Sequence, residues 1–429
     1  MGPARATRGA TPNRFPLSVS GRYLRKANGK PFIVVGDTPW TIEVQLTHAQ
    51  IDEFLNHRRS VGINAILFEL IEHKFSSQSP AYRNAAAGVD PFSSMSPVAW
   101  TSPTETYWRT VDYVINGALS RGIACFVCPA YLGFNGGDEG WMSDVTAASE
   151  ADLQAYGAWL ARRYTQGNIV WVMGGDYAGD STERAKQWNI VTGMRTVRTD
   201  QIITGHPTRA DATAYSKWDG YTGFNLNNAY IPTTNIGDDR CATAYGQGMP
   251  FVMIEGGYKG ESTVTDASIR MSIWHAICSG ACGAFMGENP IWGFGEPNMN
   301  GGDGAAAALA SSLNSSAALQ MRHFRTLVAT YDVSKLVPKT DTSLVSSSLG
   351  TSGTSGRVCP ALAGDGSFAL VWTPSVAVTV VMTNFRQSSV RARWYDPSDG
   401  SFTTVSGSPF SNSGSQTMTP STDCVLVLD

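Results

Sequence analysis

The sequence predicts an α/β chain. A (β/α)8 TIM barrel is expected over residues 15–335 and a small antiparallel β-sandwich over residues 336–429, after a disordered lead over residues 1–14. Three observations carry this. Asn168–Tyr177 and Pro250–Tyr258 are apolar runs without polar alternation, each ending on a carboxylate beside a Gly-Gly pair: Asp176 after Gly174-Gly175, Glu255 before Gly256-Gly257. Such runs suit parallel strands buried on both faces. Eight runs of this kind alternate with helical or plausibly helical segments, the count of a barrel. After about Lys335 the helical periodicity stops, and Ser, Thr and Gly surround short alternating runs.

The elements follow in order. Leu17 to Lys26, with turn signals at Ser20-Gly21 and Asn28-Gly29-Lys30-Pro31, predicts a hairpin. Phe32–Gly36 is the first barrel strand, ending in Asp37-Thr38-Pro39-Trp40. Thr47 and Gln50 have the spacing of a capping box, opening a helix that reaches about Gly62. Ala65–Leu70 is strand two, followed by a long insertion over residues 72–103 and a helix over residues 105–121. Strands three to eight are expected at Ile123–Cys128, Ile169–Met173, Ile202–Thr204, Tyr221–Phe224, Phe251–Ile254 and Gly283–Met286. A last helix covers about residues 309–329. The sandwich strands are expected at Phe368–Trp372, Ala377–Met382, Val390–Tyr395 and Val425–Leu428, separated by turns such as Asp365-Gly366 and Asp399-Gly400.

Composition narrows the function classes. With 42% hydrophobic and 16% charged residues the chain should fold. A net charge of −3 gives no nucleic-acid or membrane signature. No apolar run reaches the roughly 18 residues of a membrane span. Residues 1–14 are polar and basic with no apolar core, so no signal peptide is visible and both a secreted and a cytoplasmic location stay open. Cys125 and Cys128 have the spacing of half a zinc site, but no second half follows, so they are expected as buried thiols, as are Cys278 and Cys282. Cys359 and Cys424 could bridge only in an oxidising compartment.

Residues that end barrel strands converge on one face. Collected there are Asp37, Trp40, Glu69, Asp176, His206, Asn225, Glu255, Tyr258, Glu288 and Trp292. Aromatic faces stack on sugar C–H surfaces, and acids and amides bind hydroxyls, so a carbohydrate is the expected partner. Glycoside hydrolysis needs two carboxylates flanking the scissile bond. Strands four and seven lie across the barrel from each other, which pairs Asp176 as general acid/base with Glu255 as nucleophile. The plainer alternative is that these acids cap the helices that follow. The rival function is a non-catalytic carbohydrate-binding or adhesive protein on a barrel scaffold. No cofactor is implied. Asn298, Asn300 and Asp303 are spaced too loosely for calcium, and no metal is assigned.

Asn28-Gly29-Lys30-Pro31-Phe32, Gly36-Asp37-Thr38-Pro39-Trp40, Gly62-Ile63-Asn64, Met173-Gly174-Gly175-Asp176 and Glu255-Gly256-Gly257 resemble, in that order, the apiosidase-like glycoside hydrolases. Trp394-Tyr395-Asp396-Pro397 with Asp399-Gly400 is similar to the motif of that family's second domain, named for collagen binding. The resemblance covers nearly the whole chain from about Leu17. It implies a retaining hydrolase with its acid/base after strand four and its nucleophile after strand seven, at Asp176 and Glu255. The chain departs from the family at Tyr177-Ala178-Gly179, where Asn or Thr-Pro often follows, and in its insertion over residues 72–103, so apiose is not carried over as the substrate. A retaining pair requires carboxyl groups about 5–5.5 Å apart, an inverting pair about 6.5–9.5 Å. The short separation is expected, with Trp292 or Tyr258 in the same pocket.

Overall fold

The structure, a computed structural model, describes residues 14–231, 237–295 and 304–429. The expected lead therefore lies almost wholly outside the described residues, and so do Asn298, Asn300 and Asp303. A hairpin of β1 (Ser18–Ser20) and β2 (Tyr23–Arg25) comes first. The barrel strands are β3 (Val34–Asp37), β4 (Ala65–Glu69), β5 (Ala124–Cys128), β6 (Ile169–Gly174), β7 (Ile202–His206), β8 (Asn227–Tyr230), β9 (Phe251–Glu255) and, after the two-residue β10 (Tyr258–Lys259), β11 (Gly283–Glu288). The helices are α1 (Ile42–Gln45), α2 (His48–Ser60), α3 (Glu105–Ser120), α4 (Met142–Ala147), α5 (Glu150–Arg163), α6 (Ser181–Val197), α7 (Tyr215–Trp218), α8 (Asp238–Gly246), α9 (Asp266–Cys278), α10 (Ala305–Ser312) and α11 (Ser316–Thr330).

All neighbouring barrel strands pair in parallel, in the order β7-β6-β5-β4-β3-β11-β9-β8. The gap between β8 and β7 is bridged without a regular ladder. The amides of Asn225 and Leu226 both donate to the Ile203 carbonyl, and the Asn228 side chain donates to Thr204 Oγ1 and the Gly205 carbonyl. The barrel is therefore nearly closed, and most side chains of β4, β5, β6 and β9 are fully buried, as their unbroken apolar runs require.

Strand six departs from the sequence expectation. Tyr221–Phe224 is a turn after α7, held by hydrogen bonds from the Tyr221 amide to the Trp218 carbonyl and from the Phe224 amide to the Tyr221 carbonyl. The strand is Asn227-Asn228-Ala229-Tyr230 instead. Two buried asparagines hide it from a hydrophobicity pattern. Their side chains bond across the fold instead: Asn228 spans to β7, and Asn227 accepts the Tyr215 amide and donates to Gln247 Oε1. The last barrel helix is also interrupted: Ser315 caps a new helix by accepting the Ala318 amide, so α10 and α11 replace one continuous helix. At α2 the capping box forms as the spacing predicts, with Thr47 Oγ1 accepting the Gln50 amide and Gln50 Oε1 accepting the Thr47 amide.

The residues after Lys335 form antiparallel sheets. The larger contains β12 (Leu336–Pro338), β13 (Cys359–Ala363) and β14 (Ala369–Pro374). A pair, β15 (Val378–Val381) with β16 (Ser415–Met418), lies against it. The larger sheet continues from β14 through Asp423–Leu428 and Ala392–Tyr395 to Phe402–Thr404. Successive residues of its central strands serve two cores. Leu370, Trp372, Val425 and Val427 join the barrel's core, while Val371, Leu426 and Leu428 join the sandwich's own core with Val378 and Val380. That is the period-two alternation of a strand with both faces buried. Polar ties run across the same contact: Arg270 to Asp423 at 3.0 Å, and Tyr395 Oη to the His323 carbonyl at 2.7 Å. All seven cysteines are buried free thiols, including Cys359 and Cys424.

Candidate active site

The glycine pair before Asp176 has a steric cause. Gly174, Gly175 and Asp176 have φ of +86°, +111° and +49°, three successive residues in the left-handed region. A Cβ on Gly174 would lie 2.5 Å from the His206 carbonyl, and one on Gly175 would lie 2.3 Å from the Tyr131 ring. Only glycine can take both positions. The turn they make aims the Asp176 amide at His206 Nδ1, 2.9 Å away, and leaves the Asp176 carboxylate beside the cleft.

That cleft, of about 410 Å³, opens at the carboxyl ends of the strands. Six of the expected residues line it: Trp40, Glu69, Asp176, Glu255, Tyr258 and Trp292. Trp40 Nε1 donates to Tyr258 Oη at 2.7 Å, which fixes the indole as one wall. Trp292 Nε1 donates to Glu261 Oε1 at 2.8 Å, and its ring meets Phe75 edge-on at 5.5 Å. Aromatic rings thus form much of the cleft, with the two carboxylates of Asp176 and Glu255 between them.

One oxygen of Asp176, one ring nitrogen of His206 and one oxygen of Glu255 lie within 4.8 Å of one another. Tyr230 Oη bridges the carboxylates, 2.6 Å from Asp176 Oδ1 and 3.4 Å from Glu255 Oε1, and accepts from Arg209 Nε at 3.0 Å. Tyr131 Oη donates to the other Asp176 oxygen at 3.0 Å. His206 Nε2 is 2.6 Å from Glu255 Oε2. Burial disfavours a charged imidazole and Glu255 favours one, with a net upward pull. Nδ1, however, already faces a backbone N–H and has no room for a second proton. His206 is therefore the neutral tautomer whose Nε2–H donates to Glu255. The same proton removes the lone pair that a metal ion among these three residues would need from that nitrogen. Burial, then the nearby Asp176, push the Glu255 carboxyl above its usual range, and the His206 hydrogen bond pulls it back.

Four expected residues lie elsewhere than in the cleft lining. His206 sits fully buried behind the acid pair. Asp37 is turned away, fully buried, with Oδ2 taking Arg58 Nε at 2.6 Å and Oδ1 the Thr38 amide at 2.8 Å. Asn225 lies at the start of the turn into β8, not its end. Its side chain accepts the Ile203 amide and donates to the Gln201 carbonyl, which places it at the amino end of the barrel. Glu288 accepts from Ser315 Oγ at 2.6 Å beneath the surface, its carboxyl pushed up to about 7 mainly by burial.

Sequence reasoning misses Tyr230, Tyr131 and Arg209. Tyr230 ends the true strand six, so correct placement of that strand would have found it. Tyr131 lies three residues past β5, within the Pro129-Ala130-Tyr131 stretch where a strand-end search could have been extended. Arg209 lies on a loop with no local signal.

Known proteins resemble the chain in family and fold. Residues 18–335 match the family model described as "Apiosidase-like, catalytic domain", and residues 341–429 match "Putative collagen-binding domain of a collagenase". No curated protein sequence matches the chain. Among solved structures, one described as "Glycoside hydrolase" is 20% identical with a TM-score of 0.79, covering 96% of both chains. A glycoside hydrolase family 5 structure from Bacteroides vulgatus ATCC 8482 is 21% identical with a TM-score of 0.79, covering 96% of this chain and 93% of its own. At these identities the likeness shows the fold, a barrel with its C-terminal sheets. With three quarters of its length matched by one family model, the chain belongs to the apiosidase-like catalytic-domain family.

Proposed function

We propose that the protein is a retaining glycoside hydrolase acting on a plant or microbial polysaccharide or glycoside, with Asp176 as general acid/base and Glu255 as nucleophile. The observation that carries this is the acid pair itself. Two carboxylates from facing strands meet in an aromatic cleft, close enough for one tyrosine hydroxyl to touch both. A retaining mechanism puts the proton on Asp176 and the negative charge on Glu255. His206 Nε2–H donates to Glu255 Oε2, a hydrogen bond that favours the carboxylate form the nucleophile needs.

In the first step Glu255 attacks the anomeric carbon and Asp176 gives its proton to the glycosidic oxygen, so the aglycone leaves as an alcohol. In the second step Asp176 takes a proton from water, the water oxygen attacks the same carbon, and Glu255 is released as carboxylate. Trp40 and Tyr258 hold the sugar ring against this axis, and neutral His206 keeps the Glu255 carboxylate oriented. The test is proton NMR of the first-formed anomer on a glycan panel, with Glu255→Gln as the blank. Retained configuration is expected. Inverted configuration would sink the nucleophile assignment, and no turnover on any glycan would sink the enzyme.

A further inference from the structure

Three glutamates lie behind one wall of the cleft. Glu69 ends β4, Glu72 follows in the loop after it, and Glu43 comes from α1; their exposures are 1%, 0% and 0%. Glu72 Oε1 accepts the amides of His73, Lys74 and Phe75 at 2.8, 2.8 and 2.7 Å, donors that favour the charged form. The groups that act on Glu69 are acids, Glu72, Glu43 and, across the cleft, Asp176, and none of them brings a positive charge. Glu43 faces Glu72 in the same way. The other titratable groups packed there, Tyr107 on α3, Cys128 on β5 and Tyr131 after it, are buried neutral acids and bring no positive charge. Lys74, which lines the same cleft, turns its Nζ to the exposed Asp138 at 2.9 Å.

A buried carboxylate without a cation or donor takes up a proton rather than bear the desolvation cost. Burial first, then Glu72, Glu43 and Asp176, push the Glu69 carboxyl well above the usual range. A carboxylic acid has an O–H to place. Among the described residues Glu69 Oε2 has no hydrogen-bond partner, and the side chain lines the cleft beside Asp176. No described residue supplies that oxygen an acceptor; a ligand in the cleft can.

We infer that Glu69 works as a neutral carboxylic acid, donating a hydrogen bond to an oxygen of the sugar bound beside Asp176, and that binding weakens when Glu69 ionises. The inference rests on the glycosidase reading. It differs from the usual use of an acidic residue in a sugar site, where a carboxylate accepts from hydroxyls. Glutamine copies the neutral donor; alanine removes it.

The test has two arms. Glutamate labelled with carbon-13 at the carboxyl, with the Glu69 signal assigned by its loss in Glu69→Gln, reads the charge with no ligand present. A protonated carboxyl is expected at neutral pH, and an ionised one overturns the inference. The second arm follows KM against pH for the 4-nitrophenyl glycoside that the full-length protein turns over best. Glu69→Gln should keep KM within about threefold of wild type and lose the wild-type rise at alkaline pH, whereas Glu69→Ala should raise KM about tenfold or more throughout. A purely structural Glu69 would leave the alkaline rise in Glu69→Gln, and that result, or equal losses in the two variants, overturns the inference. If wild type turned over no glycoside, the glycosidase reading would fail, and the carbon signal would still decide the charge on Glu69.

Discussion

Asp37 and Asp176 occupy equivalent places in two barrel strands and have opposite fates. Each follows a buried apolar run, and each stands at the carboxyl end of the barrel. Asp37 meets Arg58 from α2, and both side chains are fully buried. Asp176 meets two tyrosine hydroxyls and lines a cleft. A parallel strand delivers its carboxylate to the same face either way. What arrives from the neighbouring elements decides whether the charge is spent on structure or left for a ligand.

This contrast is broken most severely at the acid pair. Glu255→Gln should lower kcat on every glycoside by roughly 10⁴-fold or more, as removal of a nucleophile does in other hydrolases. Asp176→Asn should cost about 10²–10⁴-fold on a glycan with a poor leaving group and far less in the first step with an activated aryl group. Full activity of Asp176→Asn on a natural glycan would move Asp176 to the Asp37 category.

The opposite behaviour is expected at strand one. Asp37→Ala leaves a guanidinium buried without its partner, which should cost about 3–5 kcal/mol in urea unfolding while the folded protein keeps its kcat. A large loss of kcat with little loss of stability would place Asp37 in the chemistry instead.

Glu43, the buried acid with neither a guanidinium nor a cleft, sharpens the comparison through pH. Burial, then Glu72, raise its folded pKa, so the native state keeps a proton that the unfolded chain releases above about pH 4.5, the ordinary value. Stability contributed by Glu43 is therefore present at low pH and falls as pH rises through that value, by at most about 1.4 kcal/mol per pH unit. Glu43→Gln should remove the fall, matching wild type in acid and exceeding it at neutral pH in denaturation curves. Parallel curves would mean that Glu43 is already ionised. The smallest effect belongs to Thr47→Ala, which removes a surface helix cap and should cost about 1 kcal/mol without touching turnover.

Much of this was legible beforehand because burial on both faces leaves an unmistakable apolar run. β4, β5, β6 and β9 are of that kind, and their last residues or the turns after them supply Glu69, Asp176 and Glu255. The Thr47–Gln50 box was legible because it is local chemistry. β8 was not legible. Its two asparagines bond to β7 and the α8 end, which a period-based reading scores as loop, and with the strand went Tyr230.

The barrel, the antiparallel sheets after it and the strand ends that carry acids are already written in the chain, because alternation, apolar runs and glycine pairs are properties of neighbouring residues. Only the tertiary structure decided which acids face a cavity, which one meets Arg58, and which tautomer His206 holds. Those outcomes depend on distances between residues tens of positions apart: 21 positions separate Arg58 from Asp37, 30 separate His206 from Asp176, and 54 separate Tyr230 from Asp176. The electrostatic energy of a buried carboxylate is set by whichever groups folding brings within a few ångströms of it, and nothing in its local sequence records them.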